Sequence, residues 1–150
     1  MAALHVQCWQ ESYVGIVPAA LLASFTPTTR LPMWQANLAD HSRIIWAAFD
    51  DNQPQGFAIA SDGNLAALYL RASAKRHGLG RKLLALAAQS WLEAGGTSLT
   101  LSVLDGNQPA IAFYEAMGAR LLKKDIYDWS GNPLPNRIYV FDDLQKLAAP

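Results

Sequence analysis

The sequence predicts one α/β domain over residues 1–150, built on a mixed, mainly antiparallel sheet that helices flank. Three observations support this fold class. Hydrophobic residues make up 51% of the 150 residues, which is enough for a single core. Closely spaced strand patterns at residues 43–70 favour an antiparallel meander, whereas a strand–helix–strand pattern at residues 65–103 favours a central parallel pair.

Helix patterns fill the first part of the chain. Good helix formers favour a helix over Ala2–Tyr13. Pro18 stands where the first residue of a short second helix belongs, because its fixed φ suits that position. Thr29 and Pro32 indicate a third helix that reaches Ala39.

The middle of the chain alternates between strand and helix patterns. Clusters of Asp, Asn, Gly and Pro separate three predicted strands, at residues 43–49, 56–60 and 65–70. Apolar residues then recur at helical intervals from Leu79 to Leu92, and Gly95-Gly96 ends this helix. TSLTLSV, residues 97–103, alternates as a strand does.

A second helix and two final strands complete the predicted fold. Pro109 near the start and Gly118 just past the end bound a helix in NQPAIAFYEAMGA. The last strands are predicted at residues 119–129 and 137–141, on either side of the turn SGNPLPN.

Composition and charge exclude several classes of partner. Twelve Lys and Arg balance twelve Asp and Glu, so no global charge favours nucleic acid or an anionic membrane. No apolar run approaches the ~20 residues that span a bilayer. The chain has a single cysteine, Cys8, so it cannot form an internal disulfide. Together with the lack of a basic-then-apolar leader pattern, this predicts a cytoplasmic protein. His5 and His41 have no partners at ligand spacing, so we expect no metal.

The stretch KRHGLG, residues 75–80, predicts an anion site. Gly78 and Gly80 fall at a strand-to-helix junction, where the first helical amides lack internal partners and the helix dipole is positive. Side chains that are or can become cationic surround them: Lys75, Arg76, His77, Arg81 and Lys82. The spacing excludes a P-loop and a dinucleotide fingerprint. The alternative is a turn that only caps the helix, with a solvated rim of bases.

Three motifs resemble those of the GNAT superfamily of N-acetyltransferases. KRHGLG is similar to its acetyl-CoA-binding motif, Gln/Arg-x-x-Gly-x-Gly/Ala, with Lys75 in place of Gln or Arg. NQPAIAFYEAMGA resembles the family's Asn…Ala…Phe-Tyr…Gly-Phe block, with Ala119 where Phe is usual. LHVQCWQESYVGIVPAALL is similar to the family's first helix pair, so the resemblance covers nearly the whole chain.

The resemblance implies a splayed central strand pair. In the family the fourth and fifth strands, here residues 65–70 and 97–103, separate and hold the pantetheine arm of acetyl-CoA between them. The family's first strand is missing because the chain begins inside the first helix, so we expect a truncated start. Residues 43–49 would then form a nearly uncharged sheet edge, which the protein's own helices or a second copy in a homodimer must cover.

The resemblance also implies which residues bind acetyl-CoA. The backbone of Leu70 would face the pantetheine arm and the thioester. The pyrophosphate would lie against the glycine turn, which consists of Lys75, Arg76, His77, Gly78, Leu79, Gly80 and Arg81. Asn107 would contact the cofactor or, equally, cap its helix.

Tyr114 is the predicted catalytic residue. Helical spacing places Asn107, Ala110 and Tyr114 on one stripe and Phe113 with Met117 on another, so Phe113 is expected in the core and Tyr114 outside it. In the family the matching Tyr protonates the departing CoA thiolate, as a general acid. The alternative is a packed Tyr whose hydroxyl binds a backbone carbonyl.

The sequence does not identify the general base that accepts the proton of the attacking amine. Many family members place a Glu on the fourth strand, but GNLAALYL has no acid and Asn64 stands near that position. Water, a chain of backbone carbonyls, or a carboxylate such as Glu11 or Asp128 could accept the proton.

Five aromatic residues lie in the segments that contact the acceptor in the family: Trp9, Tyr13, Trp34, Tyr127 and Trp129. Together they predict a partly apolar pocket, although each Trp alone favours a core position because of its large burial energy.

The resemblance therefore predicts an acyltransferase that moves the acetyl group of acetyl-CoA to a primary amine by direct attack. The acceptor would belong to a small molecule or a peptide. The rival hypothesis is a sensor that binds CoA or acyl-CoA without turnover. A third hypothesis is acetylation of a protein N-terminus or lysine.

Overall fold

The protein folds around a six-stranded sheet with helices on both faces. The computed structural model describes residues 1–149. The helices are α1 (Ala2–Tyr13), α2 (Ala19–Ser24), α3 (Pro27–Ala39), α4 (Leu79–Glu93), α5 (Gln108–Ala116) and α6 (Leu144–Ala148). The strands are β1 (Ile44–Asp50), β2 (Gln53–Ser61), β3 (Asn64–Leu70), β4 (Leu99–Leu104), β5 (Arg120–Trp129) and β6 (Asn132–Phe141). A short 3₁₀ turn, Ala72–Ala74, follows β3.

The strands of the sheet run in the order β1-β2-β3-β4-β6-β5. β3 and β4 are parallel, and the other neighbouring pairs are antiparallel. This arrangement confirms the predicted mixed, mainly antiparallel α/β fold with a parallel pair at its centre.

β3 and β4 separate soon after they meet. They pair only through Asn64 and Leu65 of β3. A bulge lies at the same place, where Ala66 is an extra residue between the partners of Ile59 and Ala60. The remaining halves of the two strands leave a gap between them, which is the splay that the family resemblance implies.

One face of the sheet packs against α4, α5 and α6. The buried residues of α4 recur at helical spacing: Gly80, Leu83, Leu84, Ala87 and Ala88. They join Leu101 and Val103 of β4 and Tyr139 of β6 in one apolar cluster. This packing fixes the N-terminus of α4 at the gap between the parallel strands.

The other face of the sheet is covered by α1, α2 and α3. Trp9 and Tyr13 of α1 pack with Phe25 and with Leu104 of β4. A second cluster on this face contains Leu4, Cys8, Trp34, Phe57 and Ile59. None of the helices in residues 1–149 has both the length and the apolar character for crossing a membrane.

The last part of the chain differs from the prediction. β6 starts earlier than expected and takes in most of the turn SGNPLPN. Pro133 and Pro135 are tolerated because β4 pairs with β6 only as far as Asn136, so β4 needs no amide from either proline. The short helix α6 is also new, and the carboxylate of Asp143 caps it by accepting from the amide of Lys146 at 3.0 Å.

β1 forms one edge of the sheet, as the sequence predicted for residues 43–49. No strand of residues 1–149 pairs with its outer side. The indole of Trp46 donates to the hydroxyl of Ser90 in α4 at 3.1 Å, so one of the protein's own helices covers part of this strand.

Candidate active site

A cavity of about 570 Å³ occupies the gap between β3 and β4. Its walls come from the C-terminal halves of these strands, the N-terminus of α4, α5 and the last turn of α1. Leu70 and Val103 point to the α4 face of the sheet, whereas Tyr69 and Ser102 point to the α1 face. The cavity therefore reaches both faces of the sheet.

The glycine turn forms one end of this cavity. Gly78 has a φ of 79° and caps α4 without a side chain, so the first amides of the helix remain free for a ligand. Gly80 is buried, and a Cβ built there would lie 3.2 Å from Cδ1 of Leu70 and 3.5 Å from the ring of Phe113. Gly78 allows the left-handed backbone conformation at the start of α4, and Gly80 allows α4 to approach β3 closely.

The charge at this end of the cavity is positive. Lys75, Arg76 and Arg81 line it, and no carboxylate lies among the described residues of its wall. His77 is exposed and Leu79 packs against the apolar cluster, and the side chains of these two predicted residues lie outside the cavity wall. Cationic side chains and free helical amides together suit a phosphate group.

Tyr114 lies in the wall of the cavity, on the α4 face of the sheet. Its side chain is 8% exposed, and within residues 1–149 its hydroxyl has no hydrogen-bond partner. Burial raises the pKa of Tyr114, and the nearby Tyr13 raises it further. The phenol therefore keeps its proton at neutral pH.

The burial of α5 differs from the prediction. Tyr114 is buried with Ile111, three residues earlier, whereas Phe113 is half-buried. The expectation that Phe113 is core and Tyr114 is outside it is wrong. The buried stripe of α5 contains Ile111 and Tyr114, and the predicted core stripe with Phe113 lies one residue away from it. Phe113 packs over Gly80 at the cavity wall instead.

Asn107 caps α5 and also lines the cavity. Its side-chain oxygen accepts from the amide of Ala110 at 3.3 Å. The side-chain amide is close to Tyr13, whose pKa is raised by burial and partly lowered by hydrogen bonds to Tyr69 and Asn107. Capping and contact with the cavity are thus compatible.

The predicted acceptor-contact aromatics are distributed between core and cavity. Tyr13 lines the cavity, and its hydroxyl lies 3.1 Å from that of Tyr69. Trp9 is 1% exposed, stacks on Phe25 at 3.8 Å and donates to the Tyr69 hydroxyl at 3.2 Å. These contacts place Trp9 in the core rather than in the cavity wall.

Trp34, Trp129 and Tyr127 also lie outside the wall of the cavity. Trp34 is 2% exposed and packs edge-on against Phe57. Trp129 is half-buried against Trp9, and Tyr127 is exposed beside it. Sequence reasoning missed Tyr69, because the bulge at Ala66 reverses the alternation along β3 and no local pattern announces it.

The two carboxylates considered as general bases have structural partners. Glu11 accepts from the amide of Ala72 at 2.5 Å and so ties α1 to the 3₁₀ turn that precedes the glycine turn. Asp128 accepts from the amide of Gly131 at 2.8 Å in the turn between β5 and β6. Neither carboxylate lines the cavity. Within residues 1–149, no three His, Cys, Asp or Glu side chains lie close enough together to hold a metal ion.

Comparison of the sequence with known protein families gives a match that agrees with this fold and this cavity. The pattern described as the acetyltransferase (GNAT) family matches residues 7–119, which is more than half of the chain. The chain belongs to the GNAT acetyltransferase family.

Relatives support this assignment over most of the chain. The chain is 30% identical to an uncharacterised N-acetyltransferase, YuaI, of Bacillus subtilis strain 168, over 98% of this chain and 88% of the relative. It is also 30% identical to YjaB, a peptidyl-lysine N-acetyltransferase of Escherichia coli K12, over 64% of each chain. The structure of yncA, a putative acetyltransferase from Salmonella typhimurium with acetyl-CoA, matches with a TM-score of 0.71 and 16% identity, covering 99% of this chain and 91% of that one.

Family membership makes this GNAT protein an acetyl-CoA-dependent N-acetyltransferase. The cavity fits that cosubstrate. It offers free amides and cationic side chains at one end, and a gap between parallel strands with unpaired backbone groups at its centre.

Proposed function

We propose that the protein transfers the acetyl group of acetyl-CoA to a primary amine of a small molecule or peptide by direct attack on the thioester. The observation that supports this most is one cavity with two different ends. A positively charged glycine turn lies on the α4 face, and hydroxyl groups of Tyr13, Tyr69 and Ser102 lie on the α1 face.

In this proposal the glycine turn holds the pyrophosphate of acetyl-CoA. The backbone from Arg76 to Arg81 donates its amides, and the side chains of Lys75, Arg76 and Arg81 add positive charge. The backbone of Leu70, on the splayed part of β3, contacts the pantetheine arm near the thioester. Asn107 caps α5 and holds the helix that carries Tyr114 against the cavity.

Tyr114 acts as the general acid in the proposal. Its hydroxyl has no protein partner within residues 1–149, and its raised pKa keeps the proton available for the departing CoA thiolate. A tyrosine that only packed in the core would need a hydrogen-bond partner for its buried hydroxyl.

Water is the proposed acceptor of the proton that the attacking amine loses. The described wall of the cavity has no carboxylate, and Glu11 and Asp128 are held by backbone amides. An unperturbed alkyl ammonium group has a pKa near 10, so a minor neutral fraction of the amine reacts at neutral pH.

The test is release of CoA thiol from acetyl-CoA in the presence of an amine panel. The panel contains a lysine peptide, because one relative is a peptidyl-lysine N-acetyltransferase, together with N-terminal peptides, amino acids, polyamines and aminoglycosides. We expect thiol release that depends on at least one amine. CoA binding without release from any member of the panel would instead favour a sensor.

A further inference from the structure

Three polar side chains form a hydrogen-bonded line across β4, β6 and β5, on the α1 face of the sheet. The hydroxyl of Ser102 donates to Oδ1 of Asn136 at 2.8 Å. The amide of Asn136 donates from Nδ2 to Oδ1 of Asp125 at 2.9 Å. Ser102 lines the cavity, Asn136 is 4% exposed, and Asp125 is half-buried at the far end.

The direction of each hydrogen bond in this line follows from chemistry. Hydrogen bonding from Asn136, together with Lys123 at 3.2 Å, holds the pKa of Asp125 below its usual range, so the carboxylate only accepts. The NH₂ group of Asn136 must therefore face Asp125, and its carbonyl oxygen must face Ser102. A carbonyl oxygen cannot donate, so the hydroxyl hydrogen of Ser102 points at Asn136.

The hydroxyl hydrogen of Ser102 is used in the bond to Asn136. The lone pairs of its Oγ accept no hydrogen bond from the described residues. The other polar groups of the wall are cationic side chains, tyrosine hydroxyls, Ser12, the amide of Asn107 and unpaired strand backbone, and none is a carboxylate. A primary amine that enters from the α1 face needs an acceptor for one of its N–H groups. If it donates an N–H to Ser102, its own lone pair stays free for attack.

We propose that Oγ of Ser102 binds an N–H of the acceptor amine, and that Asp125, acting through Asn136, fixes the hydroxyl as an acceptor. Ser102 is then a substrate-binding residue. Asn136 and Asp125 are positioning residues, because they act on the amine only through Ser102. The inference rests on the proposed function, since it concerns the amine that this reaction consumes.

The experiment measures KM and kcat for the amine of the panel with the highest kcat/KM, together with the dissociation constant of CoA. Ser102→Ala removes the acceptor, and we expect KM for the amine to rise about 10-fold while CoA affinity stays within twofold. Ser102→Thr keeps a hydroxyl and should remain within about threefold of the parent in KM. Asp142→Ala is the matched control, because it removes an exposed aspartate that pairs with Arg120 away from the cavity.

A double-mutant cycle tests the positioning role of Asp125. Asp125→Ala alone should raise KM for the amine by about threefold to fivefold, because the Asn136 amide is then free to turn. In the Ser102→Ala background the same substitution should have almost no further effect. Additive effects in the cycle, or an unchanged KM in Ser102→Ala, would overturn the proposal while leaving the proposed function intact. If the parent acetylates no amine of the panel, the proposed function fails and this proposal fails with it.

Discussion

The two ends of the cavity differ in whether their polar groups already have partners within the protein. At the α4 end, Lys75, Arg76 and Arg81 make no ion pair within residues 1–149, and the first amides of the helix are free. At the α1 end, the hydroxyls of Tyr69 and Ser102 both have protein partners. The α4 end attracts an anion such as a pyrophosphate through its positive charge. The α1 end holds hydroxyl groups in fixed orientations, which suits the smaller amine substrate.

The largest expected effect concerns the anionic end. CoA at a hundredfold excess over its dissociation constant should stabilise the parent by roughly 2.7 kcal/mol. Gly80→Glu should remove most of this stabilisation, because a side chain there meets Leu70 and Phe113 and brings a negative charge to the turn. Thermal or denaturant unfolding with and without CoA measures the difference.

Arg81→Glu provides the same test at an exposed position, where the fold is not crowded. It should weaken CoA binding about 10-fold or more through the reversed charge. Lys124→Glu, on an edge strand far from the glycine turn, is the control. Equal CoA affinity in Arg81→Glu and Lys124→Glu would show that the pyrophosphate lies elsewhere.

Tyr114→Phe should produce the next largest effect. It deletes the hydroxyl and keeps nearly all of the packing, so turnover should fall ~100-fold, while the CoA dissociation constant changes little. A loss nearer 10-fold fits the same role, because an alkyl thiol has a pKa not far above neutral and its thiolate is a tolerable leaving group. Single-turnover rates measure the chemical step. Parental chemistry in Tyr114→Phe would mean that the proton comes from solvent.

A smaller effect is expected at Glu11, which links the two ends. Its carboxylate holds the amide of Ala72 just before the glycine turn, and a charge-assisted bond of this kind is about twice as strong as a neutral one. Glu11→Gln should weaken CoA binding by about threefold and leave KM for the amine nearly unchanged. Titration of CoA gives the first value and steady-state kinetics the second. A larger change in KM than in CoA affinity would assign Glu11 to the amine instead.

The smallest expected effect is the absence of a decline in rate at alkaline pH. A general acid works below its own pKa, and burial raises the pKa of Tyr114 above the ordinary value of 10. The single-turnover rate should therefore rise with pH as the amine loses its proton and should not fall before pH 10. A fall below that pH, present in the parent and absent in Tyr114→Phe, would contradict the raised pKa.

The sequence predicted the parts of the fold whose signals are local. The helical spacing of α4, the capping turn at Gly78 and the meander of β1 to β3 follow from periodicity and from turn residues. Helix α6 has five residues, which is too short for a periodic pattern. The early start of β6 depends on where β4 ends, and this is a tertiary property.

The sequence predicted the glycine turn better than the α1 end of the cavity, for a physical reason. Strict alternation along β3 would place Leu65 and Tyr69 on the same face of the sheet. The extra residue Ala66 shifts the alternation by one, so Leu65 packs with α4 and Tyr69 packs with α1. The allocation of Trp9 to the core and Tyr13 to the cavity likewise depends on neighbours that only the folded chain brings together.

The central claim is that one cavity holds the cofactor at its α4 end and the amine at its α1 end. Calorimetric titration of CoA into the parent, Arg81→Glu and Ser102→Ala tests it most directly. The account predicts that Arg81→Glu loses about 10-fold or more in CoA affinity through its reversed charge, while Ser102→Ala stays within twofold of the parent. Equal loss in both variants, or loss only in Ser102→Ala, would contradict this division of the cavity.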